Sequence, residues 1–90
     1  MLKIRYHGKF KKDYKAIVKR GYNVKLLEEI IELLVNKQSL PLKNRDHSLN
    51  GNYENFRECH ISPDWLLIYK IEKEELVLTL MRTGTHSDLF

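Results

Sequence analysis

Three histidines in the second half of the chain, His47, His60 and His86, are its best candidates for proton transfer. An imidazole titrates near pH 6.5, so it can take up or release a proton at neutral pH. Arg82 lies four residues before His86, and its planar guanidinium stays charged and fits a phosphate. The histidines are 13 and 26 residues apart, which matches no metal-binding motif, and no acidic residues cluster with them.

These residue types suit cleavage of an RNA backbone, in which the ribose 2′-OH is the internal nucleophile. A base removes its proton, Arg82 neutralises the charge on the phosphorane, and an acid protonates the leaving 5′ oxygen. Each acid–base group contributes about 10²–10⁴-fold to the rate. Because DNA lacks the 2′-OH, this chemistry selects RNA. Trp65 and Phe90 offer aromatic faces on which bases can stack.

The candidate residues lie on or beside three predicted strands, over residues 55–61, 65–71 and 76–83. Both connections are hairpin-length, so the strands predict an antiparallel meander. The turn lengths predict a register in which Arg82 lies opposite Trp65, with His60 opposite Leu66. The candidates then gather at one end of the sheet: His60, Asp64, Trp65, Arg82 and His86.

The first half of the chain predicts the elements that support this sheet. Residues 2–6 alternate as a short strand, and residues 9–20 and 24–37 have the apolar period of two helices joined as a hairpin. Residues 38–52 form a long polar loop. The expected fold is a single α+β domain over residues 1–90, with β-α-α-β-β-β order and an antiparallel sheet packed on the N-terminal helical hairpin.

Charge is distributed unevenly along the 90 residues, whose net charge is +4. Residues 1–25 hold nine basic groups and one acid, which suggests a polyanion or an acidic partner, although a solvated helix face is the alternative. Five lysines share the outer side of the first predicted helix: Lys9, Lys11, Lys12, Lys15 and Lys19. No apolar run approaches the roughly 20 residues of a membrane span. The single cysteine and the lack of a signal-peptide core favour a cytoplasmic protein.

Three blocks of sequence resemble the YafQ-type toxins of the RelE/ParE superfamily, the toxin halves of bacterial type II toxin–antitoxin pairs. They are Asp46–Gly51 (DHSLNG), Phe56–Tyr69 (FRECHISPDWLLIY) and Arg82–Phe90 (RTGTHSDLF). The resemblance covers nearly the whole chain and implies a RelE-like fold. It also implies ribosome-dependent cleavage of mRNA in the A site, without a metal or another cofactor.

The same resemblance implies a set of functional positions: His47, His60, Asp64, Trp65, Arg82, His86 and Phe90. The histidines and Asp64 would form the acid–base set. The resemblance does not fix which histidine is the base. Arg82 would bind phosphate, while Trp65 and Phe90 would hold the mRNA. The five helix lysines are expected to contact ribosomal RNA.

By resemblance, the partners are the 70S ribosome with its mRNA and a cognate antitoxin that folds on the toxin in a higher-order heteromer. Operator DNA would be bound only through the antitoxin. Two other interpretations stay open. One is a non-enzymatic ParE-like inhibitor of DNA gyrase, which needs no histidine cluster, and the other is a basic RNA- or protein-binding module without toxicity.

Overall fold

The computed structural model describes all 90 residues. Its elements in chain order are β1 Lys3–Tyr6, α1 Gly8–Lys19, α2 Val24–Val35, β2 His47–Ser48, β3 Arg57–Ser62, β4 Trp65–Glu72, β5 Val77–Gly84 and α3 His86–Leu89. Two 3-10 turns, Leu42–Asn44 and Gly51–Tyr53, flank β2. None of the helices has the length and apolar character that crossing a membrane requires.

The five strands form one sheet in the order β1-β5-β4-β3-β2. The α+β class, the helical hairpin and the antiparallel β3-β4-β5 meander are as predicted. The sheet as a whole is mixed rather than antiparallel, because β1 runs parallel to β5. These two strands are far apart in sequence, so no hairpin turn fixes their relative direction.

The helical hairpin covers one face of the sheet. The side chains of His7 and Asn23 accept hydrogen bonds from the backbone N–H groups of Lys9 and Lys25, and so cap the two helices. The buried side chains of α1 and α2 join those of the sheet in one core cluster of 14 residues, which includes Phe10, Ile17, Leu27, Ile30, Leu34, Leu67, Leu78 and Leu80. This core fixes the sheet on which the candidate residues stand.

A smaller apolar cluster lies on the opposite face of the sheet. Leu66 and Ile68 of β4 pack there against Leu89 of α3. Residues 86–89 form this short helix after β5 because Leu89 has an apolar surface to cover. The docking of α3 brings the end of the chain back over the face that carries the candidate site.

The register of β4 and β5 differs from the prediction by three positions. Arg82 lies opposite Ile68, not opposite Trp65. Two positions of this register shift come from the β4–β5 turn, which is longer than expected. The third comes from a β-bulge at Met81. The bulge is the reason Arg82 is on the same face of the sheet as Ile68.

The register of β3 and β4 agrees with the prediction at His60, which lies opposite Leu66. A second bulge follows, so that Ser62, rather than Ile61, lies opposite Trp65. His60 therefore stands on the same face as Arg82 and α3.

Candidate active site

A buried carboxylate lies between two histidines on the face opposite the helical hairpin. Glu58 and His60 are two residues apart on β3, so both side chains point to this face. Glu58 is only 3% exposed. Its Oε1 lies 3.4 Å from Nε2 of His47 and 3.9 Å from Nε2 of His60. The carboxylate thus lies within ion-pair distance of both rings, with no hydrogen bond to either.

Backbone carbonyls determine which nitrogen of each ring carries hydrogen. Nδ1 of His47 lies 2.7 Å from the carbonyl oxygen of Arg45, and Nδ1 of His60 lies 3.3 Å from that of Pro63. A carbonyl oxygen can only accept, so the hydrogen-bond network assigns a hydrogen to Nδ1 in both rings. Nε2 of each ring is then the nitrogen that faces Glu58 and takes up or releases the exchangeable proton.

The third histidine, His86, is the first residue of α3. The ring of His86 lies with its centroid 6.2 Å from that of His60 and 5.8 Å from that of Phe90. Thr85 begins the helix through a capping box with Asp88. Gly84 allows α3 to fold back on the sheet, since it has φ +156° and a Cβ there would meet Cβ of Asp88 at 2.9 Å.

Arg82 is held by an acid that the sequence analysis did not select. Its Nε and Nη2 donate to the carboxylate oxygens of Asp13 on α1, at 2.6 and 3.1 Å, and the backbone N–H of Thr83 donates to the same carboxylate at 3.1 Å. The hydrogen bond that Arg82 donates to Asp13 raises the pKa of Arg82 further above its usual range. Nη1 points towards the hydroxyl of Tyr53, 3.5 Å away. Nη1 and Nη2 each carry a second hydrogen, which these bonds leave available to a phosphate.

An aromatic cleft of about 630 Å³ lies beside this group. Its lining residues are Lys9, Asn50, Asn52, Tyr53, Phe56, Met81, Leu89 and Phe90. The ring of Phe90 is edge-on to that of Tyr53 at 5.9 Å, and Phe90 is 62% exposed. Aromatic walls with one cation can receive a base and its phosphate.

A family model described as the bacterial toxin of type II toxin–antitoxin system, YafQ, matches residues 2–90. The chain belongs to the YafQ family. The mRNA interferase toxin YafQ of Escherichia coli strain K12 is 40% identical over 88 residues, which cover 97% of this chain and 94% of that protein.

Solved structures of other toxins share the fold. A metal-bound toxin from Helicobacter pylori has a TM-score of 0.94 and 48% identity over the full length of both chains. YafQ in the E. coli DinJ–YafQ toxin–antitoxin complex has a TM-score of 0.88 and 39% identity over 99% of this chain and 97% of that one. The predicted family and the RelE-like α+β fold are therefore confirmed.

Among the positions predicted for this YafQ-family chain, Trp65 requires correction. It was expected to hold mRNA, but it is only 2% exposed and belongs to the core beneath the helical hairpin. Its Nε1 donates to Oγ1 of Thr83 at 2.9 Å, and its ring packs edge-on against Tyr22. Its ring has no face open to a base, because strand alternation turns it away from the candidate site.

Asp64 is exposed in the β3–β4 turn, and no hydrogen bond or ion pair joins it to a histidine. Its place in the acid–base set stays a prediction. The nearby carboxylate that does approach the histidines is Glu58, which the sequence analysis missed. The signal was present, because a Glu two residues before a strand His shares its face. Asp13 was visible too, as the one acid among nine basic residues in positions 1–25.

The five predicted lysines of α1 are distributed over different parts of the helix surface, and their contact with RNA stays a prediction. Lys9 lines the aromatic cleft, whereas Lys11 and Lys15 line a groove between the two helices. Lys12 and Lys19 are exposed and line neither. Lys9 lines this cleft together with Tyr53 and Phe90.

Metal-ligating side chains and the single cysteine lie outside the group described above or in no metal-binding arrangement. No group of three or more His, Cys, Asp or Glu side chains is arranged to hold a metal ion. Burial raises the pKa of the Cys59 thiol to about 12, so this thiol is not an activated nucleophile. Cys59 is therefore left out of the candidate site.

Proposed function

We propose that this chain is an endoribonuclease toxin that cleaves mRNA in the ribosomal A site by metal-independent attack of the 2′-OH. The observation that carries the proposal is the position of Glu58, whose carboxylate faces Nε2 of both His47 and His60, with the ring of His86 6.2 Å from that of His60. The name mRNA interferase toxin, carried by the E. coli relative, supports the same reaction class.

The proposed reaction uses the two sides of the histidine group. A histidine that faces Glu58 takes the 2′-OH proton on Nε2, and the oxygen attacks the adjacent phosphorus. Nη1 of Arg82 neutralises the charge that develops on the phosphorane. His86 gives a proton to the leaving 5′ oxygen, so the products are a 2′,3′-cyclic phosphate and a free 5′-OH. Phe90 supports the base of the reacting nucleotide in the aromatic cleft.

Primer extension on an mRNA programmed into ribosomes tests the reaction. The toxin is freed of transition metals with EDTA and then transferred into magnesium buffer without chelator. We expect a break in the A-site codon with wild-type protein and with the control Ser87→Ala, but not with His86→Ala. A 2′-deoxy nucleotide at the break should abolish cleavage, since the nucleophile is gone. Cleavage by His86→Ala would contradict the mechanism. So would EDTA-treated wild-type protein that cleaves only after transition metal is added back.

The same assay separates the other interpretations. If the mRNA stays intact and translation continues while gyrase-dependent supercoiling stops, the chain is a gyrase inhibitor of the ParE type. If neither process is affected, it is a binding module without toxicity.

We also propose a cognate antitoxin as the partner that neutralises the toxin in a higher-order heteromer in the cytoplasm, with operator DNA bound only through the antitoxin. YafQ of E. coli forms a toxin–antitoxin complex with DinJ, which supports an antitoxin partner. Lys11 and Lys15 flank an apolar groove of about 480 Å³ that also includes Phe10 and Leu27. This combination suits an acidic segment with apolar anchors.

The antitoxin proposal is tested with the product of the neighbouring reading frame. The charge reversal Lys11→Glu/Lys15→Glu should weaken its binding at least tenfold in titration calorimetry. The control Lys3→Glu/Lys25→Glu makes the same charge change on β1 and α2 and should have a smaller effect. Equal losses in both variants would show that only net charge matters.

A further inference from the structure

A second cleft, of about 560 Å³, lies next to His60. It is lined by residues 43–45 of the loop before β2 and residues 60–63 at the end of β3, and it shares no residue with the aromatic cleft. Lys43 and Arg45 are exposed there without an ion pair, and no acidic side chain lines it. A polyanion that reaches His60 from this side meets two free cations.

Asn44, between these cations, has a buried acceptor without a donor. The residue is 4% exposed, and its Nδ2 donates to the carbonyl oxygen of His60 at 2.7 Å. That bond fixes the orientation of the amide, so the other atom is the oxygen. Oδ1 accepts no hydrogen bond, although nearly all buried polar atoms are paired. The cleft therefore combines positive charge with an acceptor that lacks an N–H or O–H partner.

We propose that this cleft binds the mRNA nucleotide next to the cleaved phosphodiester, with Lys43 and Arg45 on its phosphates and Asn44 Oδ1 accepting from a base N–H. The inference rests on the proposed function. Unstacked bases of single-stranded RNA offer their edges to amide groups. An amide oxygen alone selects the edge that presents a donor.

The loop joins this subsite to the histidines. The backbone of Arg45 has φ +48°, held by its N–H donating to the carbonyl oxygen of Leu42 at 3.0 Å. The carbonyl oxygen of Arg45 accepts a hydrogen bond from Nδ1 of His47. Binding of phosphate by the Arg45 side chain thus orders the segment that holds the His47 ring.

The charge part is tested with the wild-type chain and a ten-nucleotide single-stranded 2′-O-methyl RNA, which lacks the nucleophile. Fluorescence anisotropy at several salt concentrations gives Kd and its salt slope. The cleft variant Lys43→Gln/Arg45→Gln should raise Kd about tenfold and lower the slope by about 1.4, or 0.7 for each lost phosphate contact. The matched control Lys3→Gln/Arg5→Gln lies on β1, at the other edge of the sheet, and should change both values less.

The amide part is tested by NMR on the same RNA. The side-chain ¹³Cγ and ¹⁵Nδ2 resonances of Asn44 should shift on titration, because a hydrogen bond to Oδ1 polarises the amide, and should saturate with the Kd from anisotropy. Resonances that stay in place while RNA binds would overturn the assignment of Asn44.

The proposed RNA subsite can be disproved separately from the proposed reaction. If the wild-type chain does not bind the RNA, or if the cleft variant binds like wild type or no worse than the control variant, the subsite is overturned, whatever happens on the ribosome. If RNA binds as predicted but programmed mRNA is not cut, the subsite stands and the proposed function fails.

Discussion

Arg20, which follows α1, donates two hydrogen bonds to the carboxylate of Asp88 in α3, at 2.6 and 3.1 Å. The same carboxylate accepts from the backbone N–H of Thr85 at 2.9 Å. A terminal helix of four residues would fray without such contacts. The ion pair therefore holds the element that carries His86 and Phe90, although neither of its members touches the reacting group.

The first prediction concerns this contact. In Asp88→Asn the amide accepts more weakly from Arg20, so α3 is held less firmly and His86 spends less time beside His60. We expect cleavage on programmed ribosomes to fall about tenfold, while the circular dichroism spectrum is unchanged. The control Ser87→Ala alters the neighbouring exposed residue and should cleave at the wild-type rate. Full activity in Asp88→Asn would show that α3 needs no anchor from α1.

The second prediction is a pH dependence. The hydrogen bond from Arg20 lowers the pKa of Asp88 far below its usual value of 3.8. A carboxylate whose pKa is lower in the folded chain stabilises the fold above the unfolded value and loses this effect as the pH falls towards the folded one. The free energy of unfolding should therefore differ between wild type and Asp88→Asn at pH 7, and the difference should shrink at pH 3. A difference that is equal at both values would contradict the assignment.

The sequence was sufficient for the elements whose pattern is local. The apolar stripes of α1 and α2 and the hairpin-length turns of the meander predicted the helical hairpin and three adjacent strands. The pairing of His60 with Leu66 followed from the short β3–β4 turn. Such features depend on neighbours in sequence, which is why a single sequence reveals them.

Features that depend on distant contacts were not predictable in this way. The bulge at Met81 changes the residue of β4 that lies opposite Arg82, and no local residue pattern predicts this bulge. The helix α3 forms because Leu89 packs on β4 and Asp88 pairs with Arg20, directly after α1. The pairing of Asp13 with Arg82 spans 69 residues. The site was thus identified by residue type, whereas its geometry required the tertiary structure.

The third prediction concerns the ion pair of Asp13 and Arg82, whose side chains are only 15% and 19% exposed. In Arg82→Lys the positive charge remains, but an ammonium cannot bind both oxygens of Asp13 and also reach a phosphate. We expect cleavage to fall by about tenfold or more despite the retained charge. Asp13→Asn should destabilise the fold by about 1.5–3 kcal/mol in urea unfolding, the usual range for a hydrogen bond to a charged group. Asp64→Asn, which alters an exposed and unpaired carboxylate, is the stability control. Wild-type cleavage by Arg82→Lys would show that charge alone suffices.

The fourth prediction follows from the burial of Trp65. Trp65→Phe keeps an aromatic ring in the core but loses the hydrogen bond to Thr83 and leaves a small void. We expect a loss of about 1–3 kcal/mol in the free energy of unfolding. Cleavage per folded molecule, measured well below the unfolding temperature, should be unchanged, because the indole does not face the site. Phe90→Leu is the counterpart on the exposed face, and it should reduce cleavage without destabilising the fold. A variant Trp65→Phe that folds normally but binds mRNA poorly would restore the role first predicted for this residue.

The fifth prediction concerns Glu58. With hydrogen on Nδ1 of both rings, Nε2 of His47 and of His60 presents a lone pair to this side chain. In Glu58→Gln the amide N–H can donate to such a lone pair, so the group remains paired and the chain should fold. The cost of a buried carboxylate is also removed, and the unfolding temperature should equal or exceed that of wild type.

Cleavage by Glu58→Gln should nevertheless fall by about 10²–10⁴-fold, because an amide neither accepts the proton nor balances an imidazolium. The measurement is single-turnover cleavage on programmed ribosomes, paired with thermal unfolding of the same sample. Glu58→Asp keeps the charge on a shorter side chain and should recover part of the activity. If Glu58→Gln cleaved like wild type, the histidines would work without the carboxylate. The position of Glu58 would then no longer support the proposed function. If it lost stability together with activity, Glu58 would be a structural residue.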